Sequence, residues 1–182
     1  ANEHLRRSFR SAMDFLIGKR AAQFPDAALL ERQRALAEHI RKYSLARLPD
    51  LLEQLERKLT ENGVQVHWAE NAEQANRIII DIARRHSTKL MVKGKSMVSE
   101  EIELNHAMAD AGMEALESDM GEYIVQLDGE KPSHIIMPAI HKTKEEIARL
   151  FAAKVPGATY TDSVDELIGI GRAVLREKFM TA

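Results

Sequence analysis

The sequence predicts an α/β fold with a mainly parallel sheet, preceded by a helical arm. Three observations point there. From Gly63 onward, short apolar runs suited to strands alternate with amphipathic segments of helical period. Several of those helical segments open on a capping signature, so the order is strand, turn, helix, as right-handed crossovers between parallel strands require. Ahead of Gly63 the apolar period is helical throughout.

In chain order, Leu5, Phe9, Ala12/Met13 and Leu16 mark the apolar stripe of a first helix. Leu29, Leu36, Ile40 and Tyr43 mark a second, after the Phe24-Pro25-Asp26 break, where Asp26 is placed to cap. Leu48, Leu52, Leu55 and Leu59 mark a third, with Pro49 in its first turn and Asn62-Gly63 as its stop. Residues 1–48 are read as the helical arm and 49–182 as the α/β domain. A first strand is expected over 64–68. Asn71-Ala72-Glu73-Gln74 is a capping-box pattern opening a helix through Ala83, and Ile78-Ile79-Ile80 gives that helix the wide apolar arc of a sandwiched element. A second strand over 90–92 runs into Lys93-Gly94-Lys95-Ser96. One helix from Ser96 to Gly112 follows, with Val98, Ile102, Asn105 and Ala109 as its stripe. Strands over 113–117 and 134–137 flank a short helix over 119–127, and Pro138 stops the fourth strand. Thr143-Lys144-Glu145-Glu146 and Ser163-Val164-Asp165-Glu166 are the capping signatures of the last two helices.

With 182 residues, 45% hydrophobic and 30% charged, the chain suits one domain with an appended helical piece. The net charge of −2 and the scarcity of aromatics argue against nucleic acid as a partner. The first 48 residues carry ten Lys/Arg against five Asp/Glu, so the remainder sums to −7 and the arm is basic. There is no cysteine, which excludes disulfides, thiolate-bound zinc, iron–sulfur ligation and cysteine nucleophiles for this polypeptide. No apolar run reaches the ~20 residues of a membrane span, and the amino terminus lacks a signal-peptide core. Those features read as a cytoplasmic protein.

Candidate ligand-binding residues gather at the carboxyl ends of the expected strands, where ligands bind in parallel sheets. Lys93, Gly94, Lys95 and Ser96 form a tight loop before a helix start, with backbone N–H groups and two cations suited to a small carboxylate or phosphate; plain solvated lysines are the alternative. The loop matches neither the Walker nor the dinucleotide fingerprint. Asn105 falls on an apolar stripe, so its amide either finds buried partners or meets a ligand. Glu117, Asp119 and Glu122 bunch near a strand end. Glu122 follows Asp119 by three residues, which suits a capping pair, whereas a buried carboxylate there would suit proton exchange. His141 and Lys142 precede a capped helix and suit a further anion contact. His134 and His141 have no third ligand at metal spacing, so no metal is expected. Catalytic residues are not distinguished by any spacing.

Three strings carry a resemblance: Glu101-Ile102-Glu103-Leu104-Asn105, the run 117–127 (ESDMGEYIVQL), and the run 132–142 (PSHIIMPAIHK). On them the chain resembles the lactate utilisation domain family, most closely its iron–sulfur subunit. The resemblance implies a three-layer α/β domain similar to the sugar-phosphate isomerase and CoA-transferase group. It further implies a multi-subunit system that oxidises L-lactate to pyruvate, with sister subunits as partners and [4Fe–4S] clusters in the full-length parent. The chain departs from that pattern in having no cluster-binding cysteines. It is therefore expected to be the amino-terminal part of a longer subunit, without a cofactor of its own and inactive alone. Its domain is expected to be incomplete, with an unpaired sheet edge that favours self-association. Two alternatives remain at this level: a sugar-phosphate or acyl-CoA handling enzyme of the same fold group, and a non-catalytic assembly module docking through the basic arm.

Overall fold

The computed structural model describes residues 3–133 and 137–182, with His4 by its backbone only. The chain packs as two compact units, one of Ser11–Trp68 and a larger one of the residues up to Arg10 together with Ala69–Ala182.

The smaller unit holds most of α1 (Glu3–Gln23), with α2 (Ala27–Ala46) and α3 (Leu48–Glu61). Asp26 caps α2 as its sequence suggests, accepting from the Leu29 N–H at 2.9 Å. Pro49 lies in the first turn of α3, and Gly63, at φ +79°, takes the left-handed turn beyond its end. No residue of α2 or α3 is buried, and the stripe Leu29, Leu36, Ile40 and Tyr43 stays exposed.

The strand expected over 64–68 does not form. The Val64 N–H is used in closing α3, donating to Leu59 O at 2.9 Å, and no strand among the described residues runs beside this stretch. Val64 and Trp68 are exposed, and the Trp68 indole donates to Glu56 Oε1 at 3.0 Å. A β-branched, aromatic run supplies propensity only; without a neighbour it has no ladder to join.

In the larger unit, α4 (Ala72–Arg85) opens on Asn71, whose side chain accepts from Gln74 N at 2.9 Å. Two strands follow, β1 (Leu90–Lys93) and β2 (Glu114–Glu117), paired in parallel with Leu90 opposite Glu114 and Lys93 opposite Glu117. The parallel pairing agrees with the sequence expectation, but the described chain is mostly helical and its sheet has two strands rather than four. Residues 134–136, where the fourth was expected, lie outside the described residues.

The strands alternate their faces with a period of two. Leu90, Val92 and Leu116 pack with Tyr123, Ile124, Phe151, Leu167 and Leu175, contributed by α7 (Met120–Asp128), α8 (Lys144–Lys154) and α9 (Val164–Thr181). Met91 and Ala115 pack on the other face with Ile79, Ile80 and Ala83 of α4 and with Leu104 and Met108. Helices thus cover both faces of the small sheet. Gly171 of α9 permits one of these contacts: a Cβ there would press on Met120 Sδ and lie 2.7 Å from Met120 Cε.

The single helix expected from Ser96 to Gly112 is two, α5 (Met97–Glu101) and α6 (Leu104–Asp110). Glu103 between them sits in the left-handed region at φ +53°, and the released Ile102 carbonyl accepts from Asn76 Nδ2 of α4 at 2.6 Å. That tertiary bond satisfies a backbone group a continuous helix would have used itself. The break also rotates the buried stripe to Leu104 and Met108, leaving Val98 and Ala109 exposed.

Candidate functional site

The two β-strands end side by side, and the loops leaving them are stitched together. Both the Ser118 N–H and the Ser118 hydroxyl donate to the Lys93 carbonyl at 2.9 Å. Ser96 caps α5 through Ser99 N at 3.1 Å, and the Ser99 hydroxyl returns to Ser96 O at 2.9 Å. A Cβ on Gly94 would meet open space, so no close approach demands a glycine there. The Lys95 ammonium, 45% exposed, stands 3.8 Å from Asp119 Oδ2.

Lys93 turns inward. Its ammonium lies 2.5 Å from Glu117 Oε1 and 3.1 Å from Ser99 Oγ. The same Glu117 oxygen accepts from Asn105 Nδ2 at 3.0 Å, so the Asn105 amide reaches the site from α6. Glu117 is only 8% exposed, and an ion pair at such depth needs these added hydrogen bonds to offset desolvation.

The cap at α7 belongs to Asp119, which accepts from the N–H groups of Gly121 at 3.0 Å and Glu122 at 3.1 Å. The Glu122 carboxyl is directed instead to Glu117 and is 1% exposed. Burial raises its pKa to about 7, helped by the Glu117 charge, a hydrogen bond with Glu117 and the Asp119 charge; Lys95 opposes the shift. Two carboxylates this close favour sharing one proton over both ionising. Glu122 therefore exchanges its proton near neutrality, which is the property proton-transfer chemistry uses.

One turn further along α7, Gln126 lines the same side. Its Oε1 accepts from Glu117 N at 2.9 Å and its Nε2 donates to Ala115 O at 2.7 Å. The side-chain amide thus stands in for a neighbouring peptide group on the edge of β2 that β1 does not cover, and that edge offers a smaller template for strand addition. Sequence reasoning did not single out Gln126. The available signal was its i, i+4 spacing from Glu122, which puts both on one helical face.

His141 and Lys142 belong to a separate cluster. The turn over 138–141 packs against the start of α7, since a Cβ on Gly121 would lie 3.5 Å from Pro138 Cβ. The two side chains are engaged at the far end of that helix: His141 Nε2 lies 2.6 Å from Glu130 Oε2, while Lys142, with its side chain 10% exposed, pairs with Asp128 and with Glu130 at 2.8 Å. The Lys142 ammonium holds the carboxyls of Asp128 and Glu130 below their ordinary range, with His141 helping at both.

A cavity of about 430 Å³ opens between α6 and α7, lined by Asn105, Glu117, Glu122 and Gln126 with His106 and Lys131. Of the candidate residues, Glu122 pairs with Glu117; Lys93, Asn105 and Asp119 lie around that pair with Lys95 and Ser96 at its edge, and His141 and Lys142 do not join them. Among the described residues, no three His, Asp or Glu side chains are placed to hold a metal ion, and no helix is long and apolar enough to cross a membrane.

Residues 52–182 match the model of the LUD domain family. Among curated proteins, Lactate utilization protein B of Bacillus pumilus is 40% identical over 179 residues, covering 98% of this chain and 38% of that protein. The proteins of the same name in Bacillus licheniformis and Bacillus cereus are 41% identical over 182 residues and 40% identical over 178, covering 100% and 98% of this chain and 38% and 37% of theirs. The chain thus spans less than two fifths of the relatives it matches. No solved structure matches it. With a family match across most of its length and similar relatives along all of it, the chain belongs to the LUD domain family.

Proposed function

We propose that this chain works in lactate utilisation, as part of an iron–sulfur electron-transfer subunit of a system that oxidises L-lactate to pyruvate with sister subunits. The observation that supports this most is the 40% identity, along 98% of the chain, to a protein named Lactate utilization protein B. The residues here do not fit an iron–sulfur cluster, because the chain has no cysteine to supply thiolates. In this reading the clusters are held by other parts of the parent protein.

The chain's own contribution lies at the carboxyl edge of its strands. Lys93 is engaged by Glu117 and Lys142 by Asp128 and Glu130, which makes the exposed Lys95 the cation best placed to meet a small carboxylate. A charge-assisted hydrogen bond from Lys95 is worth about 1.5 kcal/mol, roughly a factor of ten in affinity. Lys95→Ala is expected to weaken lactate or phosphate binding by about that factor while the melting temperature holds. Identical isotherms for the two proteins would remove Lys95 from the site.

The functional reading itself is tested by growth. Disrupting the gene is expected to abolish growth on L-lactate and to spare growth on pyruvate. Undiminished growth on L-lactate would overturn the assignment.

A further inference from the structure

Helix α2 carries an apolar face that stays open among the described residues. Leu29, Leu36 and Tyr43 follow one another at intervals of seven residues, and Ile40 fills the turn between the last two. At 3.6 residues per turn these four fall in one narrow sector. Each is exposed, from 44% at Leu29 to 60% at Leu36. The side that the helix packs is a different one, marked by the half-buried Leu30, Ala37 and Ser44. Charges are sorted in the same way. Glu31 and Glu38 lie on the side away from the stripe, paired there with Arg34 at 3.5 Å and Lys42 at 2.5 Å. No acid interrupts the stripe. Arg32 stands at its margin and Arg47 at its end, where Arg47 Nη1 donates to the Tyr43 hydroxyl at 2.7 Å.

The order of residues along the stripe indicates what covers it. The stripe reads nearly the same in both directions about Leu36. In an antiparallel pair of helices crossing there, Leu29 of one copy meets Tyr43 of the other and Leu36 meets its counterpart. Ile40 then lies against the aliphatic stem of the second copy's Arg32. Such self-complementarity is what a two-fold axis requires. Charge selects the same orientation. A parallel pair would set Arg32 beside Arg32 and Arg47 beside Arg47. The antiparallel pair holds the two Arg32 residues about 12 Å apart along the axis and brings each Arg47 to the helix start that carries Asp26. Ala28, Ala35 and Ala46, all exposed along one margin, let the two backbones approach. Four large side chains, each about half exposed, offer roughly 100 Å² apiece, and the margins bring the strip to on the order of 600 Å² per copy. The total of about 1,200 Å² is the lower end of specific interfaces and suits a dimer that forms at micromolar concentration.

We propose that α2 is a homodimer contact: two copies of this chain pair antiparallel through Leu29, Leu36, Ile40 and Tyr43, with the two-fold axis at Leu36. The inference is independent of the functional reading above, and it puts self-association on the helical arm, away from the sheet edge.

Sedimentation velocity and cross-linking test it. The chain is expected to be dimeric near about 100 µM and to separate towards about 1 µM. Leu36→Glu sets two carboxylates face to face at the axis and is expected to weaken the dimer at least about 100-fold, with an unchanged melting temperature because the position is exposed. The chain has no cysteine, so introduced thiols report without background. With a short bismaleimide, Leu36→Cys is expected to link to itself. Leu29→Cys alone is not, since its two copies lie about 21 Å apart along the axis, whereas a mixture of Leu29→Cys and Tyr43→Cys is expected to link. These exchanges at exposed positions decide the question should Leu36→Glu unfold the arm. A monomer at the highest concentration would overturn the proposal, as would a dimer that survives Leu36→Glu. Linking of Leu29→Cys to itself would overturn it as well, by showing a parallel pair.

Discussion

Replacing Glu122 with glutamine removes the proton from the buried pair while keeping the shape of a protonated acid, so it isolates what the shifted carboxyl does to stability. The folded-state pKa of about 7 lies above the ordinary glutamate value of 4.5. Between those values the folded chain holds a proton that the unfolded chain has released. Stability from this group is then greatest below the unfolded pKa, falls as pH rises towards 7, and is level beyond. Each pH unit in that window is worth about 1.4 kcal/mol, which sets an upper bound of roughly 3 kcal/mol; relaxation of the surrounding groups brings the expectation to about 2 kcal/mol. Glu122→Gln should therefore match the wild type near pH 4.5 and exceed it by about 2 kcal/mol at pH 8. Its amide also offers Glu117 a donor that no longer depends on pH. With a urea slope of about 2 kcal/mol per molar, the midpoint of the variant should lie about 1 M higher at the alkaline end. Urea unfolding of both proteins across pH 4.5–8 measures this directly, and other titrating groups largely cancel in the difference. A constant gap between the two curves across the window would refute the shared-proton account.

Two further substitutions test what holds the site together. Gln126→Leu takes the partners from Glu117 N–H and Ala115 C=O on the edge of β2 and should cost about 2–4 kcal/mol in thermal or urea unfolding; a change under about 0.5 kcal/mol would show that the edge is satisfied otherwise. Lys142→Ala should cost about 1–2 kcal/mol at pH 7, after discounting for the exposure of Glu130. Because Lys142 lowers the pKa of Asp128 and Glu130, that stabilisation is present at neutral pH and is lost as pH falls through their folded values; a wild-type-to-variant gap that stays constant as the pH is taken down through the acid range would contradict it.

What could be read along the chain was what local chemistry decides. Asp26, Thr143 and Ser163 announce helix starts because a short side-chain acceptor reaches an N–H only three residues away, and all three cap as their spacing suggests. The two strands over 90–93 and 114–117 and their parallel pairing were also legible, since a turn and a helical period between apolar runs leave few other topologies. The stretch over 64–68 carried the same propensity and stayed outside the sheet, because a ladder needs a second strand alongside, which residue types cannot report. Likewise the break at Glu103 rests on Asn76 reaching Ile102 O from 26 residues away, and no glycine or proline marks it.

The candidate site divides along the same line. Strand ends brought Lys93, Asp119 and Glu122 into consideration, because the ends of parallel strands share one edge, and Asn105 entered as an amide on an apolar helical stripe. Only the packing decided that Lys93 faces inward to Glu117, that Glu122 is buried against the same carboxylate, and that Lys142 closes onto Asp128 and Glu130. Charge is a property of a residue, whereas its availability to a ligand and the pKa at which it titrates are set by neighbours the fold brings from elsewhere.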